Sequence, residues 1–224
     1  VGGRHEARER AVHLLYESRI KDLGIEQVLA AQVLAPDEYA DVLVRGVVAH
    51  QDELDELIGR DKLLKPGMCV VDLGASPGGW SQMVRERLGD SGRIIALDIL
   101  PMQGISGVDF ILGDFRDESA LGQLVGVLAG AEVDLVLSDM APNMSGVGAV
   151  DQDRSMALAE LAAEFAASHL RKGGAFLTKL FQGQGFDEYV RRLRGKYARV
   201  SIRKPKASRA RSNEIYALAT GKRA

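Results

Sequence analysis

With a single cysteine, Cys69, the 224-residue chain cannot form an internal disulfide or a cysteine-based metal site. No apolar run approaches the roughly 20 residues that a membrane span needs. The opening "VGGRHEARERAVHLLYE" has no apolar core of a signal peptide. Internal repeats and low-complexity linkers are missing too. These absences point to a soluble protein in a reducing, cytoplasmic setting. What is present suffices for a packed core, since hydrophobic residues make up 46% of the chain.

The net charge of −2 hides a split. From Arg191 to Ala224 there are 12 Lys and Arg and one acid, Glu214, a net +11, while the remainder carries 17 basic and 30 acidic residues. A basic tail on an acidic body suggests a polyanion docked at one face. The plainer alternative is a solvated basic helix and strand.

Residues 4–20 read as an amphipathic helix, with Ala7, Ala11, Leu14 and Leu15 on one face. Residues 25–33 give a second helix, and Pro36-Asp37 starts a third that runs to about Gly59. After Pro66-Gly67 the texture changes. Strands "MCVVDLG", "GRIIALDI", "VDFILGD", "EVDLVLSD" and "GGAFLTKLF" alternate with helices "SQMVRERLG", "ESALGQLVGVL", 151–170 and "FDEYVRRLRGKY". "RVSIRKP" and "NEIYALAT" form a final strand pair. This order predicts a doubly wound α/β sheet with helices on both faces.

The first strand ends in "VVDLGASPGGW", residues 70–80. Strand, glycine turn and helix make the nucleotide site of doubly wound folds. Gly74, Gly78 and Gly79 let backbone approach a ligand closely. The loop reads D-x-G-x-x-P-G-G, not G-x-G-x-x-G. Pro77 removes an N–H that a pyrophosphate cradle would use, and Asp72 sets a carboxylate beside the loop. That suits a positively charged ligand without phosphates, such as S-adenosylmethionine. Asp98, at the end of the second strand, can accept both ribose hydroxyls. Asp114, at the end of the third, can accept from an adenine amino group. Trp80 packs either beside the ligand or in the core.

Asp139 ends the fourth strand at the same crevice, and Lys179 lies at the end of the fifth after Phe176 and Leu177. A desolvated lysine can serve as a base. Glu214, the lone acid of the tail, begins the last strand. Lys179 and Glu214 form either a catalytic pair or a structural ion pair at a sheet end.

Residues 61–224 resemble the FtsJ-type family of large-subunit ribosomal RNA uridine-2′-O-methyltransferases. The matching stretches are "DKLLKPGMCVVDLGASPGGWSQ", "LDILPMQGISGVDFILGDFRDE", "LSDMAPNMSGVGAVD", "KLFQGQGFDEY" and "RKPKASRARSNEIYALATG". The resemblance implies a Rossmann-like fold with a final antiparallel strand and S-adenosylmethionine as methyl donor. It implies ligand contacts at Gly78, Trp80, Asp98, Asp114 and Asp139, a catalytic Lys179 and a supporting Glu214. The substrate implied is a uridine of 23S rRNA in the assembled subunit, with no metal and no membrane. Arg203, Lys204, Lys206, Arg209 and Arg211 would then meet RNA phosphates.

Upstream the resemblance changes. The family carries a second catalytic lysine in a lysine-leucine-aspartate-glutamate run. Counting back from Pro66-Gly67, "ELDEL" takes that place and puts Glu53 where the lysine belongs. Residues 4–58 resemble instead the first helices of the NusB-type transcription antitermination factors, through "RHEARERAVHLLYE" and "YADVLVRGVVAHQDELDELI". That resemblance implies RNA contacts at Arg4, Arg8 and Arg10, which are interleaved with Glu6 and Glu9 and also fit a solvated face. Half a helical bundle leaves apolar faces that must pack on the catalytic domain or on another chain. The expectation is a chimera of a helical segment, 1–60, and a methyltransferase domain, 61–224, joined between Asp52 and Asp61. Two other readings are a catalytically weak RNA-binding module, favoured by Glu53, and a NAD-dependent oxidoreductase, disfavoured by Pro77 and the basic tail.

Overall fold

The structure is a computed structural model and describes residues 6, 7, 10, 11, 13–15, 17, 18, 21, 23–35, 38–41, 44, 45, 63–142, 145–204 and 213–224. The chain divides into two compact units, Val1–Glu56 and Leu57–Ala224.

In the first unit, helix α1 spans Ile25–Ala30, and residues 38–41 and 44–45 are helical as well. Ala7, Ala11 and Leu14 are buried, as the i, i+4, i+7 spacing requires, and Leu15 is half-buried. Ala11, Leu14, Val28 and Val44 make a small apolar cluster, with Leu15, Ile25 and Leu29 against it. Val33 and Leu34 stay exposed. Arg10 donates to Gln32 Oε1 at 2.6 Å. Arg4, Arg8 and Glu53 lie outside the described residues.

The second unit is built on seven strands: β1 Cys69–Leu73, β2 Arg93–Asp98, β3 Val108–Leu112, β4 Val133–Ser138, β5 Leu170–Phe181, β6 Tyr197–Arg203 and β7 Glu214–Lys222. Their order is β3-β2-β1-β4-β5-β7-β6. The first five are parallel, and β7 runs antiparallel to both β5 and β6. The fold is thus the Rossmann-like α/β sheet with a final antiparallel strand. Parallel strands are covered on both faces, so they read as continuous apolar runs. Every residue of β1 is buried.

The helices are α2 Gly79–Leu88, α3 Glu118–Leu128, α4 Gly148–His169 and α5 Phe186–Lys196. Ala159, Ala162 and Ala166 give α4 a small-residue face inside the core, while its Phe165 meets Phe115 edge to face at 5.8 Å. Tyr189 of α5 donates its hydroxyl to Ala159 O at 2.9 Å, which satisfies a buried polar atom and ties α5 to α4. Each fully buried Val, Leu or Ile of this core stabilises the fold by about 1.5–3 kcal/mol.

Several cations of the basic tail are engaged by the chain itself. Lys222 donates to Leu170 O at 2.6 Å, Arg223 to Gly195 O at 3.2 Å, and Arg192 pairs with Glu160. Arg203 is half-buried and Lys204 is exposed, whereas Lys206, Arg209 and Arg211 lie outside the described residues. Among the described residues no helix is long and apolar enough to cross a membrane, and no group of His, Cys, Asp or Glu could hold a metal ion.

Candidate active site

The strand order reverses direction at β1, which has β2 on one side and β4 on the other. Connections leave to opposite sides there, so a crevice opens at the carboxyl ends of β1 and β4. Main-chain bonds stitch its walls: Gly74 N donates to Leu97 O and Asp139 N to Leu73 O, both at 2.9 Å. Gly74 has a φ of +80° and a Cβ there would lie 2.8 Å from Met140 N. Only glycine accepts both the left-handed backbone and that approach. The close approach at Gly74 is therefore to the chain that follows β4. Gly78, with φ +104°, caps α2, and a Cβ on it would come 3.0 Å from Ile105 Cδ1. Gly79 opens α2.

Asp98 ends β2 and is 8% exposed. Its Oδ2 accepts from Ser76 N at 2.8 Å and its Oδ1 from Leu100 N at 2.7 Å. Burial raises its pKa above the usual carboxylate value, and the two main-chain donors oppose that rise. Each oxygen keeps a lone pair for a ligand hydroxyl. Asp114 lies two residues beyond the end of β3, not on the strand itself. Arg116 grips it from outside, Nε to Oδ1 at 2.9 Å and Nη2 to Oδ2 at 2.5 Å, and lowers its pKa.

Asp72 departs from the sequence reading. It is wholly buried rather than set beside the loop. Its Oδ2 accepts from Ser81 Oγ at 2.6 Å, and its Oδ1 has no hydrogen-bond partner among the described residues. Burial pushes its pKa up to about 7, with Asp139 and Asp98 adding to the rise. The signal was the position itself: residue 72 lies inside a strand buried on both faces, where every side chain is enclosed.

The second half of the site lies across β4, β5 and β7. Lys179, with a side chain 8% exposed, sits directly opposite Tyr216 in the antiparallel β5–β7 register, and Phe181 sits opposite Glu214. Glu214 and Tyr216 are two apart and share a face. Lys179 Nζ lies 3.0 Å from Asp139 Oδ1, 3.7 Å from Glu214 Oε1, and donates to Asp139 O at 2.8 Å. Tyr216 donates its hydroxyl to Asp139 Oδ1 at 2.9 Å, and its ring meets buried Trp80 at 5.8 Å. Trp80 is therefore core on one side and a support for Tyr216. Tyr216 escaped the sequence reading, although the alternation Glu214, Tyr216, Leu218 places it on the face of Lys179.

Seven strands in this order, with carboxylates at the ends of β2 and β4 and an ion-paired lysine beside the crevice, define a Rossmann-like methyltransferase fold. The profile of the FtsJ-like methyltransferases matches residues 53–222. The chain belongs to the FtsJ-like methyltransferase family, which sets the oxidoreductase reading aside. It is 65% identical over 172 residues to the ribosomal RNA large subunit methyltransferase E of Stenotrophomonas maltophilia, covering 77% of this chain and 82% of that one. The protein of the same name from Xanthomonas oryzae pv. oryzae is 64% identical over 171 residues, 76% of this chain and 81% of the other. In structure, the chain is similar to one assigned as a ribosomal RNA methyltransferase in Plasmodium falciparum, with a TM-score of 0.69, 26% identity, and coverage of 77% of this chain and 96% of that one.

Proposed function

We propose that the protein methylates a ribose 2′-hydroxyl of a uridine in large-subunit ribosomal RNA, with S-adenosylmethionine as methyl donor. The observation that carries this reading is Lys179 held between Asp139 and Glu214, at 3.0 and 3.7 Å, at the rim of the crevice.

The donor set suits such a cofactor. Asp98 and Asp114 stand at the ends of neighbouring strands, with Asp139 across the crevice, and acids in that array favour a ligand with positive charge. Asp98 would hold the ribose, Asp114 the adenine amino group, and Gly74, Gly78, Gly79 and Trp80 would shape the floor. When bound, the cofactor supplies an activated methyl group on sulfur.

A ribose hydroxyl is a weak nucleophile, so its oxygen must be oriented and its proton accepted. Asp139 Oδ1 is engaged by Lys179 and Tyr216, while no hydrogen bond reaches Oδ2 among the described residues. Oδ2 is then the atom that takes the hydroxyl proton as the oxygen gains its methyl. Lys179 Nζ polarises the 2′-oxygen and compensates the charge that develops on it. Glu214 fixes the lysine from the other side, and positioning supplies much of the remaining rate. Arg203, Lys204, Lys206, Arg209 and Arg211 hold phosphates.

Residues 4–58 are read, from their sequence resemblance alone, as a segment of NusB-type ancestry that precedes the catalytic domain. The test is methyl transfer to large-subunit RNA, offered free and in assembled subunits, followed by mass mapping of the product. A single methylated ribose on a uridine supports the reading. Transfer to a base, or to no RNA, overturns it.

A further inference from the structure

The first turns of α4 hold two loops that no residue assigned so far explains. Asp151 is 5% exposed, yet its carboxylate faces the loop after Asp139. Ser145 N and Ser145 Oγ both donate to its Oδ1 at 2.7 Å, and Gly146 N donates to its Oδ2 at 3.0 Å. Ser145 Oγ in turn accepts from Val147 N at 3.2 Å. The adjacent Gln152 reaches the other way, to the loop after Lys179. Its Nε2 donates to Phe181 O at 3.1 Å and to Gln184 O at 3.0 Å. Gly183 lies so near that a Cβ there would come 2.7 Å from Gln152 Cδ. That second loop is also tied to β7, through Gln182 N to Asn213 O at 2.8 Å, one residue before Glu214.

We infer that Asp151 and Gln152 are positioning residues of the reaction: one turn of α4 fixes the loops that follow the Asp139 and Lys179 strands, and so sets the opening through which the acceptor nucleotide reaches them. The inference rests on the RNA-methylating function proposed above. It deepens that function by naming what holds the acceptor side, as distinct from the cofactor side. Apart from Asp139, which both halves share, the cofactor half is carried by β1, β2 and the segment after β3. Loosening the clamp should therefore weaken use of RNA and leave cofactor affinity alone.

Two near-isosteric variants separate positioning from folding. Asp151→Asn keeps an acceptor for Ser145 and turns an amide donor toward Gly146 N–H. Gln152→Glu sets a carboxylate against two carbonyl oxygens, while the added acid in the first turns of a helix does not harm the helix itself. Hydrogen exchange should quicken at 145–147 in Asp151→Asn and at 182–185 in Gln152→Glu. Single-turnover kcat/KM for RNA should fall about tenfold in each, the scale of one lost hydrogen bond to a fixed partner. The loss should appear mainly in KM for RNA, with the cofactor Kd held.

Unchanged exchange in both loops, or quickened exchange with unchanged kcat/KM for RNA, overturns the inference. So does a cofactor affinity that falls by the same factor as RNA use, which would signal general loosening. A wild-type protein that methylates no large-subunit RNA sinks the proposed function and this inference together, whereas an active wild type with indifferent variants sinks the inference alone.

Discussion

Replacing Asp72 by Asn should stabilise the protein at and above neutral pH and leave it nearly unchanged near pH 4. Burial raises this carboxyl from an ordinary 3.8 to about 7. Between those values the unfolded chain is ionised there while the folded chain still holds the proton. The folded state then binds more protons, so stability falls as pH rises. The loss begins near the lower value and is complete above the upper one. Each unit of pH costs about 1.4 kcal/mol, so roughly three units cost ~4 kcal/mol, an upper bound. Asn has the same shape. Its amide oxygen can accept from Ser81 Oγ, and its NH₂ stands where protonated Oδ1 has no partner. Below pH 4 both side chains are neutral and differ by one additional N–H donor on Asn, so their stabilities should lie close together. Above pH 7 only Asp72 carries the cost of a buried charge. At about 2–4 °C per kcal/mol for a chain of this size, the variant should melt on the order of 10 °C higher at pH 8. Thermal and denaturant unfolding of both proteins across this pH range is the assay. Two stability curves that run parallel at every pH would refute the reasoning, because the ionisation of Asp72 would then contribute no slope.

Asp98→Ala should abolish the rise in melting temperature that S-adenosylmethionine gives, and an undiminished rise in the variant would sink the cofactor assignment. Lys179→Met should keep cofactor binding but lower single-turnover methyl transfer by about 10²- to 10³-fold, the usual worth of one group that stabilises transition-state charge; ordinary turnover would remove Lys179 from the mechanism. If Arg203, Lys204, Lys206, Arg209 and Arg211 meet phosphates, RNA affinity should fall by about 0.7–0.9 log units per tenfold rise in salt for each contact, and a flat response would make them bystanders. If Glu53 takes the place of the upstream lysine that the family resemblance implies, transfer should be weak and Glu53→Lys should restore part of it. A turnover unchanged or lowered by that substitution would show that Glu53 does not take the lysine's place.

Apolar period and turn residues made the succession of strands and helices over residues 69–222 legible, because parallel strands buried on both faces leave little ambiguity in a sequence. The placement of two acids at strand ends was legible for a related reason. Asp98 and Asp139 fall where an apolar run stops, at the carboxyl ends of β2 and β4. Asp72 was misread because a carboxylate next to a glycine loop suggests a ligand contact, whereas its place inside a strand buried on both faces encloses it whichever way it points. Tyr216 and Gln152 were silent for a different reason. Their partners lie 77 and 32 residues away in the chain. No local pattern links Tyr216 to Asp139; the link exists only once β7 lies antiparallel against β5. The pairing of β5 with β7 therefore does more than close the sheet. It runs the last strand backward, so that Glu214 and Tyr216, at its start, arrive beside the end of β5 where Lys179 waits. A parallel seventh strand would begin at the opposite edge and leave Lys179 without either partner. The reversal of one strand is thus what converts an ion pair between two neighbouring strands into a four-residue cluster of Asp139, Lys179, Glu214 and Tyr216.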